Sequence, residues 1–464
     1  MFNNPLLLTD SYKVSHYRQY PPKTETIYSY FESRGSDKWD ETVFFGLQYF
    51  LKRYLTAPIT WKMIEQARDI YKLHFGDETM FNLKGWAHIL DAHGGKLPVR
   101  IKAVPEGSVI PTRNVLMAIE NLDPECDWLT NWLETLLVNV WYPVTVASIS
   151  RENKKVIAEA LEESGDPAEL PFKLHDFGCR GVTCPEQAGL GGCAHLVNFL
   201  STDNVPALQV GQEIYGEPMA GFSIPAAEHS TITSWGQQGE GDAFKNMLVK
   251  YPKGLVAVVS DSFDIYKACE GLWGNKLKDM VMEREGTVIV RPDSGDPLEV
   301  LPKILEILGD KLGYETNGKG YKVLDSHIRI IQGDKVCPDT VPAYYNVIMD
   351  AGWSANNMAL GSGGGLLQKM DRDTYNFAFK CSWAQVDGKG RDVYKKPVGS
   401  AWKASKKGRL KLVADRAWRD YGTAPYYTTV AESAKGDDIL QTVYENGELL
   451  IDQTLAEIRE RAAL

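Results

Sequence analysis

Paired cysteines are missing from this chain. Its seven cysteines are Cys126, Cys179, Cys184, Cys193, Cys269, Cys337 and Cys381; they are odd in number, scattered, and contain no CxxC. That excludes a disulfide framework and leads one to expect reduced thiols in a cytoplasmic protein. His175, Cys179, Cys184 and Cys193 lie close together but match no common zinc spacing. Long apolar runs are missing as well. The best candidate, Leu137 to Ile149, is short and contains Asn139, Tyr142 and Pro143, so no membrane span is expected. Met1 to Asp10 holds three consecutive leucines but no basic residue, which argues against a secretory leader. Basic residues are in deficit, 51 Lys and Arg against 61 Asp and Glu, giving a net charge of -10. Neither nucleic acid nor an anionic membrane surface is therefore an expected partner. Any phosphate must be held by a local cluster of cations and backbone N–H groups. There is also no repeat of solenoid period and no low-complexity tract.

What is present is an ordinary globular balance, 44% hydrophobic and 24% charged, over 464 residues, too many for one domain. The middle of the chain has a rhythm of short apolar runs that end in polar or glycine clusters. Phe172 to Phe177 is the first. Ala220 to Ile224 runs into Glu228-His229-Ser230, and Leu255 to Val259 ends in Ser260-Asp261-Ser262. Thr287 to Val290 ends in Arg291-Pro-Asp293-Ser-Gly295, Ile328 to Ile331 in Gln332-Gly-Asp334, and Met358 to Leu360 in Gly361-Ser-Gly-Gly-Gly365. Runs of β-branched residues read as buried parallel strands. Between them, Asp296-Pro297 opens a helix with Leu298, Leu301, Ile304, Leu305 and Leu308 on one face, and Ile265 to Met280 reads similarly. Pro302 falls inside the first of these helices.

Strand–helix alternation predicts an α/β fold: an irregular (β/α) barrel, with an open doubly wound sheet as the other architecture. We place this barrel at residues 166–375. The flanks, 1–165 and 376–464, form a second α+β domain, with a strand-like Pro98 to Ala103 and a Gly/Lys-rich Ser405 to Leu410.

The polar clusters fall at strand C-terminal ends, where the active sites of such folds form. Asp176, Asp261, Asp293 and Asp334 supply acids, Arg180 and Arg291 bases, and His229 stands alone. Carboxylates near arginines suit a phosphorylated sugar with Mg²⁺, because carboxylates hold metal or hydroxyls and arginines hold phosphate oxygens in pairs. Glycines 361 and 363 to 365 allow backbone N–H groups to face a phosphate, although such runs also serve as plain turns.

These clusters, with Thr9-Asp-Ser-Tyr-Lys13, Tyr28-Ser-Tyr-Phe-Glu32, His175-Asp-Phe-Gly178, Arg180-Gly181, Ala226 to Thr233 and Gly361 to Lys369, resemble the nicotinamide phosphoribosyltransferase family. The match runs in order from about residue 5 to the C-terminus. The resemblance implies an irregular α/β barrel with a second domain from both chain ends. It also implies a homodimer with shared active sites, acting on nicotinamide and 5-phosphoribosyl 1-pyrophosphate. Phe177, and Tyr12 with Asp10 from the partner, would hold the pyridine ring; Arg180 and Asp203 would hold the carboxamide. Arg291, Arg34 and Lys395 would bind pyrophosphate, and Asp293, Gly333 and Asp334 the ribose. Asp261 and Asp293 would lie near Mg²⁺. Gly363, Gly364, Arg372 and Lys380 would hold the 5′-phosphate, and Lys403 aligns with a basic residue near the ATP or pyrophosphate region. The resemblance further implies that His229 is phosphorylated by ATP, with Asp293 and Arg291 beside it in catalysis. Ala378, where the family can have serine, and Cys179, where an aromatic is common, are departures that put donor affinity and the pocket mouth in doubt. The alternatives are a nicotinate phosphoribosyltransferase, separated by Asp203, and a catalytically silent phosphosugar-binding protein.

Overall fold

The computed structural model describes residues 3–396, 404–415 and 426–464. The chain divides into two compact units. One comprises Met1–Ser148, Ile214–Gly216 and Met370–Ala463; the other comprises Ile149–Glu213 and Glu217–Lys369, with Leu464.

The second unit is built on five parallel strands. Val256–Val259 pairs with Val288–Arg291, then come Ile328–Gln332, Met358–Ser362 and finally Leu174–Asp176 at the far edge. These short runs carry Val, Ile and Leu because both sheet faces are covered. Val256, Val258, Val288, Val290, Ile328, Ile330 and Leu360 are all fully buried.

Five of the six expected strands form this ladder. The sixth, Ala220 to Ile224, does not. Phe222 makes one bridge to Ser201, Ala226 makes one to Ala257, and Asp176 makes one to Thr202. Pro225 has no N–H to donate, and Gly221 has no side chain to pack there, so a regular ladder cannot propagate. The regular strands thus form an open five-stranded sheet, and only isolated bridges stand where a closed barrel would need further strands.

The helices follow from their local chemistry. Asp296 caps Pro297–Leu312, its carboxylate accepting the Leu298 N–H at 3.0 Å, with Pro297 in the first turn. The helix continues through Pro302. Its apolar face buries Leu301, Ile304, Leu305 and Leu308 completely. The expected helix from Ile265 to Met280 is broken into Ile265–Lys267, a π-helical stretch Ala268–Lys276, and Lys278–Met282. Gly274 sits against Lys311, where a Cβ would come within 2.6 Å of that side chain. The looser turn carries Trp273 into the core. There it stacks on Phe244 at 4.6 Å and donates its indole N–H to the Ser260 hydroxyl at 3.0 Å. A wide-turn helix therefore secures the residue just before Asp261.

The first unit is a seven-stranded antiparallel sheet in the order Lys389–Asp392, Phe377–Val386, Thr24–Ser33, Val115–Asn121, Val99–Ala103, Gln441–Glu445 and Glu448–Leu449. Both chain ends thus contribute to one sheet, with Tyr30 opposite Lys380. Val99–Ala103 alternates buried and half-buried residues, as the sequence pattern predicts. No helix among the described residues is long and apolar enough to cross a membrane.

The packing of the second unit makes one clear expectation. Leu305→Ala removes a fully buried side chain from the middle of its core and should cost about 2–5 kcal/mol. Urea unfolding followed by tryptophan fluorescence measures this. A loss well under about 1 kcal/mol would mean that the helix is not packed as described.

Candidate active site

Phe177 follows the edge strand Leu174–Asp176, and its N–H donates to the Ser362 carbonyl at 2.9 Å. Its ring lies directly over Gly361, where a Cβ would fall 1.8 Å from the ring. Only glycine permits this approach. The Arg291 guanidinium carbon stands 5.6 Å from the ring centroid, and the His175 ring 5.0 Å from it. A Cβ on Gly333 would meet Asp293, Arg291 and Phe177 at 3.4–3.5 Å. The ends of four strands therefore converge on one aromatic ring.

Asp203 borders the same place. Its N–H donates to the Asp176 carbonyl at 3.0 Å, its Oδ1 meets His175 Nε2 at 3.0 Å, and it accepts from the Ser223 hydroxyl. Burial pushes the Asp203 carboxyl up. The His175 contact, the Ser223 hydroxyl and the Arg291 charge more than offset burial, so the carboxyl lies below its ordinary value. Asp203 is thereby held as a carboxylate.

His229 begins the short helix His229–Thr233 and is exposed. Its Nε2 lies 3.1 Å from Asp261 Oδ1, and its Nδ1 lies 3.9 Å from Asp293 Oδ2. Asp261 is almost wholly buried, and its Oδ2 accepts the Asp293 N–H at 3.0 Å and the Ser294 hydroxyl at 2.5 Å. Asp293 Oδ2 in turn accepts from Arg291 at 2.8 Å. The Arg291 Nε is buried without a hydrogen-bond partner among the described residues. Gly295 closes the Arg291–Gly295 turn at a φ of +90°. Asp334 lies beside Gly333 at the neighbouring strand end, its carbonyl accepting from Gln332 at 2.8 Å and its carboxylate 3.7 Å from Lys335.

The turn holding Arg180 meets the glycine loop. A Cβ on Gly181 would come 3.1 Å from the Gly364 nitrogen, while Gly363 lies against the Phe177 carbonyl. Arg180 itself is exposed.

The remaining predicted residues lie in the first unit, where several of them gather. Lys380 is lowered by burial; Glu134 acts against this, and the charges of Arg34, Lys395 and Arg372 add to it. Lys380 thus feels three other predicted phosphate-binding cations. Glu134 also pairs with Lys13 at 3.4 Å and, with burial and Asp10, raises the Tyr12 phenol. Asp10 accepts from Thr135 at 2.7 Å, and Tyr12 is 60% exposed, enough for its ring to meet something outside its own unit's core. Lys403 lies outside the described residues.

Some residues play parts that the sequence does not announce. Asp176 is buried; it accepts the Gly178 N–H at 2.7 Å and the Asn204 amide at 3.0 Å, so it braces the loop and does not face the site. His175 was read only as motif, yet it positions Asp203. Ser223 and Ser294 anchor the carboxylates of Asp203 and Asp261. Gly361, read as one of several loop glycines, is the seat of the Phe177 ring. Cys179 and Cys184 are exposed while Cys193 is buried, and none belongs to a metal-competent group among the described residues.

The nicotinate phosphoribosyltransferase (NAPRTase) family profile matches residues 172–448, so the class is that of α/β phosphoribosyltransferases. The profile of the nicotinamide phosphoribosyltransferase N-terminal domain matches residues 4–101. The chain is 50% identical to a nicotinamide phosphoribosyltransferase of Xanthomonas campestris pv. campestris (strain 8004), over 99% of this chain and 98% of that one. It is 32% identical to a nicotinamide phosphoribosyltransferase of Acinetobacter baylyi, over 99% of this chain and 97% of that one. The chain belongs to the nicotinamide phosphoribosyltransferase family. Its fold is like that of nicotinate-nucleotide pyrophosphorylase from Pyrococcus furiosus, with a TM-score of 0.60 at 16% identity, covering 98% of this chain and 93% of that one.

The seat of Phe177 is open to a direct check. Gly361→Ala must displace the ring, and overpacking of this kind costs about 1–3 kcal/mol. Denaturant unfolding of the variant reads that loss; unchanged stability would show that the ring does not rest on this glycine.

Proposed function

We propose that this chain forms nicotinamide mononucleotide and pyrophosphate from nicotinamide and 5-phosphoribosyl 1-pyrophosphate, in NAD salvage. The observation that carries this reading is the charged Asp203 beside the Phe177 ring and Arg291. A flat, electron-poor pyridine suits an aromatic face. Arg180 donates to the carboxamide oxygen and Asp203 accepts from its N–H. Nicotinate would bring a second carboxylate to Asp203, and two like charges at about 4 Å cost roughly 4 kcal/mol at an effective dielectric of 20.

The reaction is a displacement at the anomeric carbon. The C1–pyrophosphate bond breaks with oxocarbenium character and the bond from C1 to the pyridine nitrogen forms. The protein's part is to position the two reactants and to neutralise the leaving group. Arg291 serves the pyrophosphate. Asp293, Gly333 and Asp334 serve the ribose, and Gly363 and Gly364 the 5′-phosphate.

Mg²⁺ belongs to this reading in a restricted way. Both Asp261 oxygens are engaged by His229, the Asp293 N–H and Ser294, whereas Asp293 retains an oxygen toward Gly333. That fits an ion held mostly by donor oxygens with Asp293 as its protein carboxylate, and Asp261 as the residue that positions His229. When bound, the ion would offset charge on the departing pyrophosphate.

His229 is the phosphoryl acceptor for ATP in this reading. With Nε2 on Asp261, Nδ1 carries the lone pair of the neutral ring, so the N–P bond forms there as the bond to ADP breaks. The active form is a homodimer: Tyr12, Asp10, Arg34, Arg372, Lys380 and Lys395 of one copy serve the strand ends of the other. The influence of Arg34, Lys395 and Arg372 on Lys380 supports the four serving one polyanion. Seven free cysteines support a reducing, cytoplasmic setting.

The test is to supply donor, Mg²⁺ and ATP with either nicotinamide or nicotinate, and to resolve the mononucleotides by chromatography. Product from nicotinamide alone supports the proposal, product from nicotinate alone overturns the specificity, and no product from either revives a silent binding protein. Asp203→Asn should narrow the amide-over-acid preference by roughly a hundredfold or more, given the Coulomb cost above; a preference equal to that of the parent protein would end this role. His229→Ala should lose ATP stimulation and keep basal turnover, measured as product formed with and without ATP. Stimulation that survives would remove His229 from the coupling step.

A further inference from the structure

A second cluster of chemically competent side chains lies in the first unit and takes no part in the proposed reaction. His88 and His93 stand on the helix Leu83–His93. Asp123 and Cys126 bound the short turn Pro124–Cys126, just after the strand Val115–Asn121. His88 Nε2 and His93 Nε2 both lie 2.7 Å from the same oxygen, Asp123 Oδ2. The His88, Asp123 and Cys126 donor atoms all fall within 4.8 Å of one another. The two imidazoles meet edge to face, with ring centroids 5.7 Å apart.

We propose that His88, His93, Asp123 and Cys126 form a structural zinc site that ties the helix Leu83–His93 to the turn after the strand Val115–Asn121. Two imidazole nitrogens, a carboxylate oxygen and a thiolate make a donor set that suits zinc and does not suit Mg²⁺ or Ca²⁺. Zinc binds nitrogen at about 2.0–2.1 Å and sulfur at about 2.3 Å, so His88, Asp123 and Cys126, already within 4.8 Å of one another, would draw in around the ion, and His93 would turn from Asp123 to complete the set.

The surroundings also suit the ion. Asp123 is fixed from the other side, because its Oδ1 accepts the Glu125 N–H at 2.9 Å and its carbonyl accepts from Asn121 at 2.8 Å. Cys126 is fully buried. Burial and the negative charges of Asp123, Asp127 and Glu125 push its thiol up. On coordination the thiol proton leaves to solvent and the S–Zn bond replaces S–H. Trp86 and Trp128, 4.9 Å apart and in edge contact, add an apolar wall near the turn. The sequence offers His-x4-His and Asp-x2-Cys, thirty residues apart in chain order; neither is a common zinc spacing, and only the pairing of helix and turn joins them.

The test uses the full chain, stripped with a chelator, dialysed, and loaded with zinc(II) or cobalt(II). One zinc per chain should survive gel filtration. Cobalt should give intense tetrahedral d–d bands with a thiolate-to-metal charge-transfer band. Cys126→Ser should abolish the charge-transfer band, and the doubly substituted Cys179→Ser, Cys184→Ser protein should keep it. His88→Gln, on the half-exposed helix and so less exposed to folding failure, should raise the zinc Kd roughly a hundredfold. Basal turnover with Mg²⁺ should be unchanged in Cys126→Ser and His88→Gln. Zinc lost on gel filtration from the parent protein, or a charge-transfer band that persists in Cys126→Ser, would overturn the proposal, as would unaltered zinc affinity in His88→Gln.

Discussion

A buried carboxylate must have its oxygens satisfied, and Asp261 meets that demand by reaching to two neighbours. One oxygen meets His229, and the other takes the Asp293 N–H and the Ser294 hydroxyl. Because His229 and the adjacent Asp293 and Ser294 come from different loops, the satisfied carboxylate fixes their mutual geometry. It also fixes which imidazole nitrogen is engaged. The next residue back, Ser260, is held by Trp273, whose position depends on the π-helical turn. The site is therefore anchored in the core through the Trp273–Ser260 hydrogen bond and the Trp273–Phe244 stacked pair, and does not depend on loop packing alone.

Bare backbone is the second constraint. Phe177 occupies the volume that a Cβ on Gly361 would need, and the Arg180–Gly181 turn also comes close to Gly364, where a Cβ on Gly181 would lie 3.1 Å from its nitrogen. Side chains at these points would force the loops apart and separate the aromatic ring from Arg291. Glycine here serves proximity and not flexibility, because Gly361 sits in a strand at the end of its ladder. The same logic explains Gly333, which faces Asp293, Arg291 and Phe177 together.

The α/β class was legible because buried parallel strands are short, β-branched and bounded by polar clusters, a pattern carried by neighbouring residues. Phe177, Asp261, Asp293 and Gly333 stand at or just after the ends of such runs, where the pattern places polar clusters, whereas His229 lies five residues beyond a segment that forms no strand. What failed to show were features set by a distant partner or by one local exception. Pro225 broke the pattern at a segment whose apolar content alone reads as a strand. Gly271 and Gly274 lie in a stretch that reads as plain helix, and the π-helical turn appears only once Trp273 finds Phe244. His175 gained its role from Asp203, twenty-eight residues on. Nothing in the spacing of His88 and Cys126 links them, since a helix and a later turn must first be brought together by the sheet.

Charge is distributed over the chain in a way that bears on how it works. The net charge of -10 gives no general pull on a polyanion, so attraction has to be local. The second unit supplies carboxylates at its strand ends with Arg291 among them; the first unit gathers Arg34, Arg372, Lys380 and Lys395. Lys380 is lowered first by burial; Glu134 opposes this, and repulsion from Arg34, Lys395 and Arg372 adds to it. A polyanion bound there would relieve that repulsion, and so would gain more from the four together than from four isolated charges. The strand-end carboxylates make the opposite demand: on the proposed reading, a sugar pyrophosphate would reach them with Mg²⁺ to offset their charge.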